Sequence, residues 1–469
     1  MYDVNSTKSI IRYAKRLKNK TLREACGAEI EQQNYSGKGK YGQLVEKFYF
    51  GYNPNSDSKP DFEEAKLELK CSPLKRLVNG EYRAKERLVL NIINYKTVFS
   101  ENFETSSFWK KNAHLLLIFY LHNQDLNLLD YLIMLVDDWE YPSDDLRVIK
   151  NDWEIINKKI NDGKAHELSE GDTFYLSACT KGETAAKSLR DQPFNDKQAK
   201  QRAYSFKTGY VNHIIANISQ EENNGVYGKI IKRPSVLDRV TIDEYIISKF
   251  RPYLGLSTKK LAEILNIVIS NTAKNFNALV SKRILKEILG VERTKEIEEF
   301  EKAEIEVKTI RVEQNNRIRE SISFPAFDYT QIYNEKWLES EMKDLIERKF
   351  LFIFFKNDGN DYILDKVKFW NMPYSDRNEM REVWLRTKKV IQTGEIVKEI
   401  IVNSDNKAVK YSNFPKKTEN RVGHVRPHAI NAADTYPLPI SEKITGATEY
   451  TKHCFWLNWD YVRDEIYLK

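Results

Sequence analysis

Apolar residues recur along this chain with two different periods. Lys66 to Lys70 and Arg87 to Tyr95 alternate or run apolar as strands do, and Leu115 to Tyr120 is an unbroken apolar run suited to a buried central strand. Asp152 to Ile160 and Met380 to Ile391 repeat at helical spacing, while Leu44-Val45-Glu46-Lys47-Phe48 predicts a short amphipathic helix stopped by Gly51. Asn79-Gly80, between two strand-like stretches, predicts a hairpin. Helices and strands mixed in this way predict an α/β fold, a mixed sheet flanked by helices.

The pattern also repeats at long range. IIRYAKRLKNKTLRE (10 to 24) is echoed by IISKFRPYLGLSTKKLAE (246 to 263), and YGQLVEK (41 to 47) by FNALVSK (276 to 282). DFEEAKLELKC (61 to 71) shares its frame of Phe, Glu, Ala and Lys with EFEKAEIEVKT (299 to 309). HLLLIFY (114 to 120) matches KFLFIFF (349 to 355), Trp153 to Gly163 matches Trp384 to Gly394, and AYSFKTGYV matches CFWLNWDYV (454 to 462). Collinear matches of this kind predict two tandem copies of one domain, over 1–218 and 236–469, joined by a polar, exposed linker over 219–235.

Composition narrows the class. The 469 residues are 41% hydrophobic and 30% charged, which suits a folded chain of more than one domain and excludes a disordered or collagen-like one. The net charge of +7 is compatible with a polyanionic partner without specifying it. Four scattered cysteines form no Cys-x-x-Cys pair, and no apolar stretch approaches the ~20 residues of a membrane span, so a reducing cytoplasm and no membrane partner are expected. Walker A, Gly-x-Gly-x-x-Gly and Gly-x-Ser-x-Gly motifs are missing, which argues against nucleotide-driven or serine-based chemistry.

The candidate chemistry lies in Asp61, Glu68 and Lys70. Alternate residues of a strand share a face, so Glu68 and Lys70 point together while Leu67 and Leu69 enter the core. Two converging carboxylates are hard ligands for Mg²⁺, and a neighbouring lysine orients an attacking water, the parts that phosphodiester hydrolysis needs. The frame itself arises about once or twice by chance in so charged a chain. Context strengthens it, because Glu46 on the preceding helix and Lys111 before the buried strand are a third acid and a second base for the same cleft.

With YGQLVEK, KPDFEEAKLELK, KERLVLNIINY, NFETSSFWKK, DWEIINKKINDGKAHELSEG and YLSACTKGETAAKSL in this order, the first half resembles the MutH family of GATC-specific endonucleases, and within it the two-domain Sau-type restriction branch. The resemblance implies a restriction-endonuclease-like PD-(D/E)xK fold in tandem MutH-like copies. It implies a Mg²⁺-dependent type II endonuclease that cuts double-stranded DNA at GATC before the G, leaves a 5′ overhang, and serves a restriction-modification system beside a cognate methyltransferase. Carried over by residue, Asp61 and Glu68 would be metal ligands, Lys70 would position the water, Glu46 would be an auxiliary acid and Lys111 an auxiliary lysine. The recognition loop falls on Cys179-Thr180-Lys181, where the family more usually has Arg-Pro-Lys, so Thr180 and Lys181 are DNA-binding candidates and Tyr210 is another.

In the second half Asp61 becomes Glu299, Glu68 and Lys70 persist as Glu306 and Lys308, Glu46 becomes Ser281, and Lys111 falls on Ile346. A catalytically silent copy is therefore expected, and the resemblance to the two-domain branch implies that it binds a second GATC site as an allosteric effector, with dimerisation on DNA. Its loop Val425-Arg426-Pro427-His428-Ala429-Ile430-Asn431-Ala432 follows the family's Arg-Pro-basic-Ala-x-Asn-Ala pattern, making Arg426 and His428 recognition candidates. His424, His428, His453 and Cys454 also have zinc-type spacing, set aside because the loop already has a use in DNA recognition. Two other readings are a mismatch-repair nickase, normally of half this length, and a non-enzymatic GATC-binding protein.

Overall fold

The computed structural model describes residues 2–27, 30, 40–54, 59–181, 188–219, 226–268, 276–402 and 408–469, without the side chains of 276–282, 402 and 408–410. The chain divides into two units, one of Met1–Ile246 with Leu289–Ile305, the other of Ile247–Ile288 with Glu306–Lys469.

In unit 1, helix α1 (Lys40–Leu44) widens into a π-helical turn, Val45–Phe50, that ends on Gly51 in the left-handed region at φ 79°. The amphipathic helix expected here is thus present with a wider last turn, a feature often found at functional sites. Strands β1 (Glu68–Arg76) and β2 (Tyr82–Ala84) form the expected hairpin, with Gly80 at φ 90° closing its turn. β3 (Leu88–Ile92) and helix α2 (Ser107–Asn112) precede β4 (Leu115–Leu121) and β5 (Ile133–Trp139). The sheet order is β2-β1-β4-β5, with β1 and β4 parallel and the other pairs antiparallel. Leu115 to Phe119 are fully buried, as a central strand with both faces covered requires.

Helix α3 (Ser143–Asn161) buries Val148, Ile149, Trp153, Ile156 and Ile160, one face of a 3.6-residue repeat. Its buried Asp152 accepts the backbone N–H groups of Phe174, Tyr175 and Leu176 and so fixes the entry to β6 (Leu176–Thr180). β6 pairs with β7 (Arg202–Phe206), which also pairs with β3, in a second sheet of order β3-β7-β6. Helix α4 (Thr208–Ile218) follows.

Unit 1 closes with a segment from much later in the sequence. Helix α5 (Glu298–Ala303) places Lys302 Nζ 2.7 Å from Asp145 on α3 and 2.8 Å from Glu298, with Lys302 and Asp145 deeply buried and Glu298 partly so. Where an exposed linker is expected, Tyr227–Gly228 pairs with Glu296–Ile297, and Ile230 and Ile231 are buried. Their N–H groups are accepted by the Glu299 carboxylate at 3.0 and 2.8 Å.

Unit 2 has a similar succession. β8 (Glu306–Val312) and β9 (Ile322–Ala326) precede β10 (Phe350–Asn357) and β11 (Tyr362–Trp370). β8 lies parallel to β10, and β10 antiparallel to β11. Helix α6 (Tyr374–Thr393) packs Met380, Val383, Trp384 and Ile391 into the core, and β9, β13 (His453–Leu457) and β12 (Gly423–Pro427) form a second sheet. Among the described residues no helix is long and apolar enough to cross a membrane.

Removing one partner of a buried ion pair leaves the other charge unsolvated. Lys302→Met is expected to lower the stability of unit 1 by about 3 kcal/mol, measured as the shift of its chemical denaturation midpoint. The joint change with Asp145→Leu should recover most of that loss.

Candidate active site

Strand alternation sends Leu67 and Leu69 into the core and leaves Glu68 and Lys70 on the opposite face. Asp61, seven positions earlier, reaches that face because the chain doubles back. Phe62 and Leu67 bond to each other through both backbone N–H groups, at 3.0 and 3.2 Å, with Lys66 in the left-handed region at φ 52°. The two acids then hold each other's backbone. The Glu68 carboxylate accepts the Asp61 N–H at 3.0 Å, and the Asp61 carboxylate accepts the Leu69 N–H at 2.9 Å.

The lysines arrive by register. β1 and β4 are parallel and Glu68 faces Leu115, so the end of α2 lies beside the start of β1. Lys70 Nζ donates to Glu68 Oε1 at 2.5 Å, while Lys111 Nζ lies 3.6 Å from the same oxygen and donates to the Lys59 carbonyl at 3.0 Å. Glu46, on the π-helical turn, completes the acidic side. Burial first, then the charges of Asp61 and Glu68, push its carboxyl up to about 7. Burial likewise drives Glu68 up to about 7, with Asp61 adding to the rise and Lys70 and Lys111 opposing it. All five candidates, Glu46, Asp61, Glu68, Lys70 and Lys111, thus form one cluster.

Among the described residues no three of His, Cys, Asp or Glu close into a metal-binding group by themselves. The donor set still fits a hard divalent ion, since Mg²⁺ is commonly held by one or two carboxylates together with waters and substrate phosphate. Like-charged acids crowded in a buried cleft, two of them resisting ionisation, are the electrostatic counterpart of that demand.

The recognition candidates have unequal fates. Thr180 and Lys181 are half-buried at the end of β6, the Lys181 N–H donating to the Gln201 carbonyl at 2.8 Å; residues 182–187 of that loop lie outside the described residues. Tyr210 must be corrected. It is fully buried in α4, stacked on Tyr175 with centroids 5.2 Å apart, and has no face to offer a base. Its neighbours Val211, Ile214 and Ile215 form the apolar stripe that signals this burial in the sequence. Arg426 and His428 are exposed at the end of β12, where the Arg426 guanidinium lies 3.7 Å from the centroid of the Trp456 ring and His428 meets the same ring at 5.3 Å. His424 is engaged by Asn458 at 2.6 Å, and His453 by Tyr329 and the Thr451 carbonyl.

In the second half, Glu306 binds Lys308 at 2.9 Å and Arg348 at 3.7 Å. The linear offset places Ile346, which is buried, opposite Lys111, while the second cation on Glu306 is Arg348. Glu299 spends its carboxylate on Ile230 and Ile231, and the side chain of Ser281 lies outside the described residues.

Residues 50–152 and 291–382 match the sequence profile of the DNA mismatch repair enzyme MutH. The first stretch holds Asp61, Glu68, Lys70 and Lys111, and the second holds Glu299, Glu306 and Lys308. Over 482 aligned positions, covering 97% of this chain and 96% of the other, the sequence is 38% identical to the type II restriction enzyme Sau3AI of Staphylococcus aureus. With that identity over nearly its whole length, the chain belongs to the MutH family as a two-domain restriction endonuclease, a site-specific deoxyribonuclease.

Proposed function

We propose that unit 1 hydrolyses both strands of double-stranded DNA at GATC, before the G and leaving a 5′ overhang, with Mg²⁺ as its cofactor. The enzyme then acts in the cytoplasm on incoming DNA, beside a methyltransferase of the same restriction-modification system. The observation that carries this reading is the interlocked pair Asp61 and Glu68 with Lys70 and Lys111 on one carboxylate oxygen. Asp61 and Glu68 would hold the metal, which supplies charge stabilisation for the phosphorane-like transition state and the leaving oxygen. Lys70 orients the attacking water, Lys111 lies toward the scissile phosphate, and Glu46 is the auxiliary acid whose raised pKa suits proton exchange near neutrality.

Thr180 and Lys181 are proposed to contact DNA in unit 1. Arg426 and His428 would read a second GATC in unit 2, the guanidinium being oriented by Trp456 for bidentate contact with guanine O6 and N7. Unit 2 is read as a tandem, catalytically silent copy. The diversion of Glu299 to backbone N–H groups supports that reading, and so does the similar strand succession. Occupying the second site would promote cutting in unit 1, through dimerisation on DNA.

Incubation with Mg²⁺ should convert plasmid to linear fragments with GATC ends. Nicked circles would instead favour a repair-type nickase, and unbroken retarded DNA a binding protein. Lys70→Ala is expected to lower cleavage by at least about a hundredfold, and plasmids with several GATC sites should be cut faster than those with one.

The raised carboxyls also set a pH dependence. Metal ligands must be deprotonated, so Mg²⁺ affinity, measured calorimetrically without DNA, should rise by up to about tenfold per pH unit until pH passes about 7. Metal-free stability moves oppositely. An acid whose pKa is raised by folding keeps its full contribution below the ordinary carboxylate range and loses it as pH climbs through about 7. Thermal melts from pH 5 to 8 should show that decline, and Mg²⁺ should reverse it.

A further inference from the structure

One buried donor at the cluster has no use so far. The Tyr52 hydroxyl is enclosed yet has no hydrogen-bond partner among the described residues, a situation that ordinarily costs about 1 to 3 kcal/mol. Its backbone N–H donates to the Glu46 carbonyl at 3.1 Å, just past the end of the π-helical turn. Its ring meets Phe62, the neighbour of Asp61, edge to face at 5.5 Å. Tyr52 is thus tied on one side to the segment that carries Glu46 and on the other to the turn that carries Asp61. Burial and then the negative charges of Asp61 and Glu46 raise its phenol, so the group stays protonated and remains a donor beside those carboxylates. On Asp61, Oδ2 accepts the Leu69 N–H, whereas Oδ1 has no donor among the described residues.

We propose that Tyr52 is a positioning residue of the nuclease site, its hydroxyl donating to Asp61 Oδ1 when the site takes up its cation and holding that carboxylate in the orientation that binds it. The inference rests on the reading of Asp61 and Glu68 as metal ligands. A hydrogen bond from a neighbouring side chain to a ligating carboxylate typically alters metal affinity by about ten- to a hundredfold. The gap between donor and acceptor is closed by binding, so the metal-free protein gains nothing from the hydroxyl.

Tyr52→Phe keeps the ring and removes only the donor. In the metal-free full chain its melting temperature should equal or exceed that of the parent, because the hydroxyl removed has no partner there among the described residues. Mg²⁺ titrated calorimetrically without DNA should bind about tenfold more weakly, and in cleavage assays kcat should fall with KM for DNA unchanged. Unchanged Mg²⁺ affinity and kcat would overturn the proposal. So would a metal-free melting temperature lowered by several degrees, which would make the hydroxyl a structural bond. Lys70→Ala, assayed in parallel, separates the layers: if it cuts as fast as the parent, the site reading itself fails, and if it is inactive while Tyr52→Phe is normal, only the Tyr52 proposal fails.

Discussion

The parallel pairing of β1 with β4 is the constraint on which the site depends. Parallel strands begin at the same edge, so Glu68 at the start of one comes beside the end of the helix that feeds the other, and Lys111 needs no long reach. A slip of one residue would turn Glu68 and Lys70 into the core and Leu67 and Leu69 out of it. Driving the charged groups of Glu68 and Lys70 into that apolar interior makes such a slip prohibitively costly. The turn from Phe62 to Leu67 adds the second carboxylate, and the bonds between Asp61 and Glu68 and each other's backbone make the two acids one rigid feature.

Burial decides how that feature behaves. Glu68 has two lysines on one oxygen and still resists ionisation, so loss of hydration outweighs both ion pairs. The Glu-x-Lys pair of unit 2 is more open: the Glu306 side chain is 36% exposed against 2% for Glu68, and it pairs with Lys308 and Arg348. The same two residue types at the same spacing therefore make a buried carboxylate that resists ionisation in one unit and a more exposed ion pair in the other. Frustration of this kind is tolerated where function requires it.

Much of this was legible in sequence because period and side-chain direction are local properties. The alternation around Glu68, the central apolar strand, the Asn79-Gly80 hairpin and the helices around Trp153 and Trp384 all follow from neighbours within a few positions. Long-range substitutions were not legible. Arg348 reaches Glu306 from a position the linear pattern does not mark, and Glu299 keeps its place in that pattern while its carboxylate serves Ile230 and Ile231. Tyr210 departs from its expected role for a different reason: it is an aromatic in a matched segment, but the apolar stripe around it specifies a core position. Tyr52 carries no motif at all, and only its enclosed hydroxyl marks it.

The return of Leu289–Ile305 to unit 1 bears on the order in which the protein becomes itself during synthesis. Domains generally fold as units while the ribosome is still extending the chain. Here the nuclease unit has all five residues of its acidic and lysine cluster by position 111, yet the cation that neutralises Asp145 on its long helix is residue 302. An emerging chain that already contains this cluster therefore needs nearly two hundred further residues before the buried carboxylate of Asp145 has its cation. A chain that stops short of residue 302 lacks the cation that pairs with Asp145 in the full-length fold.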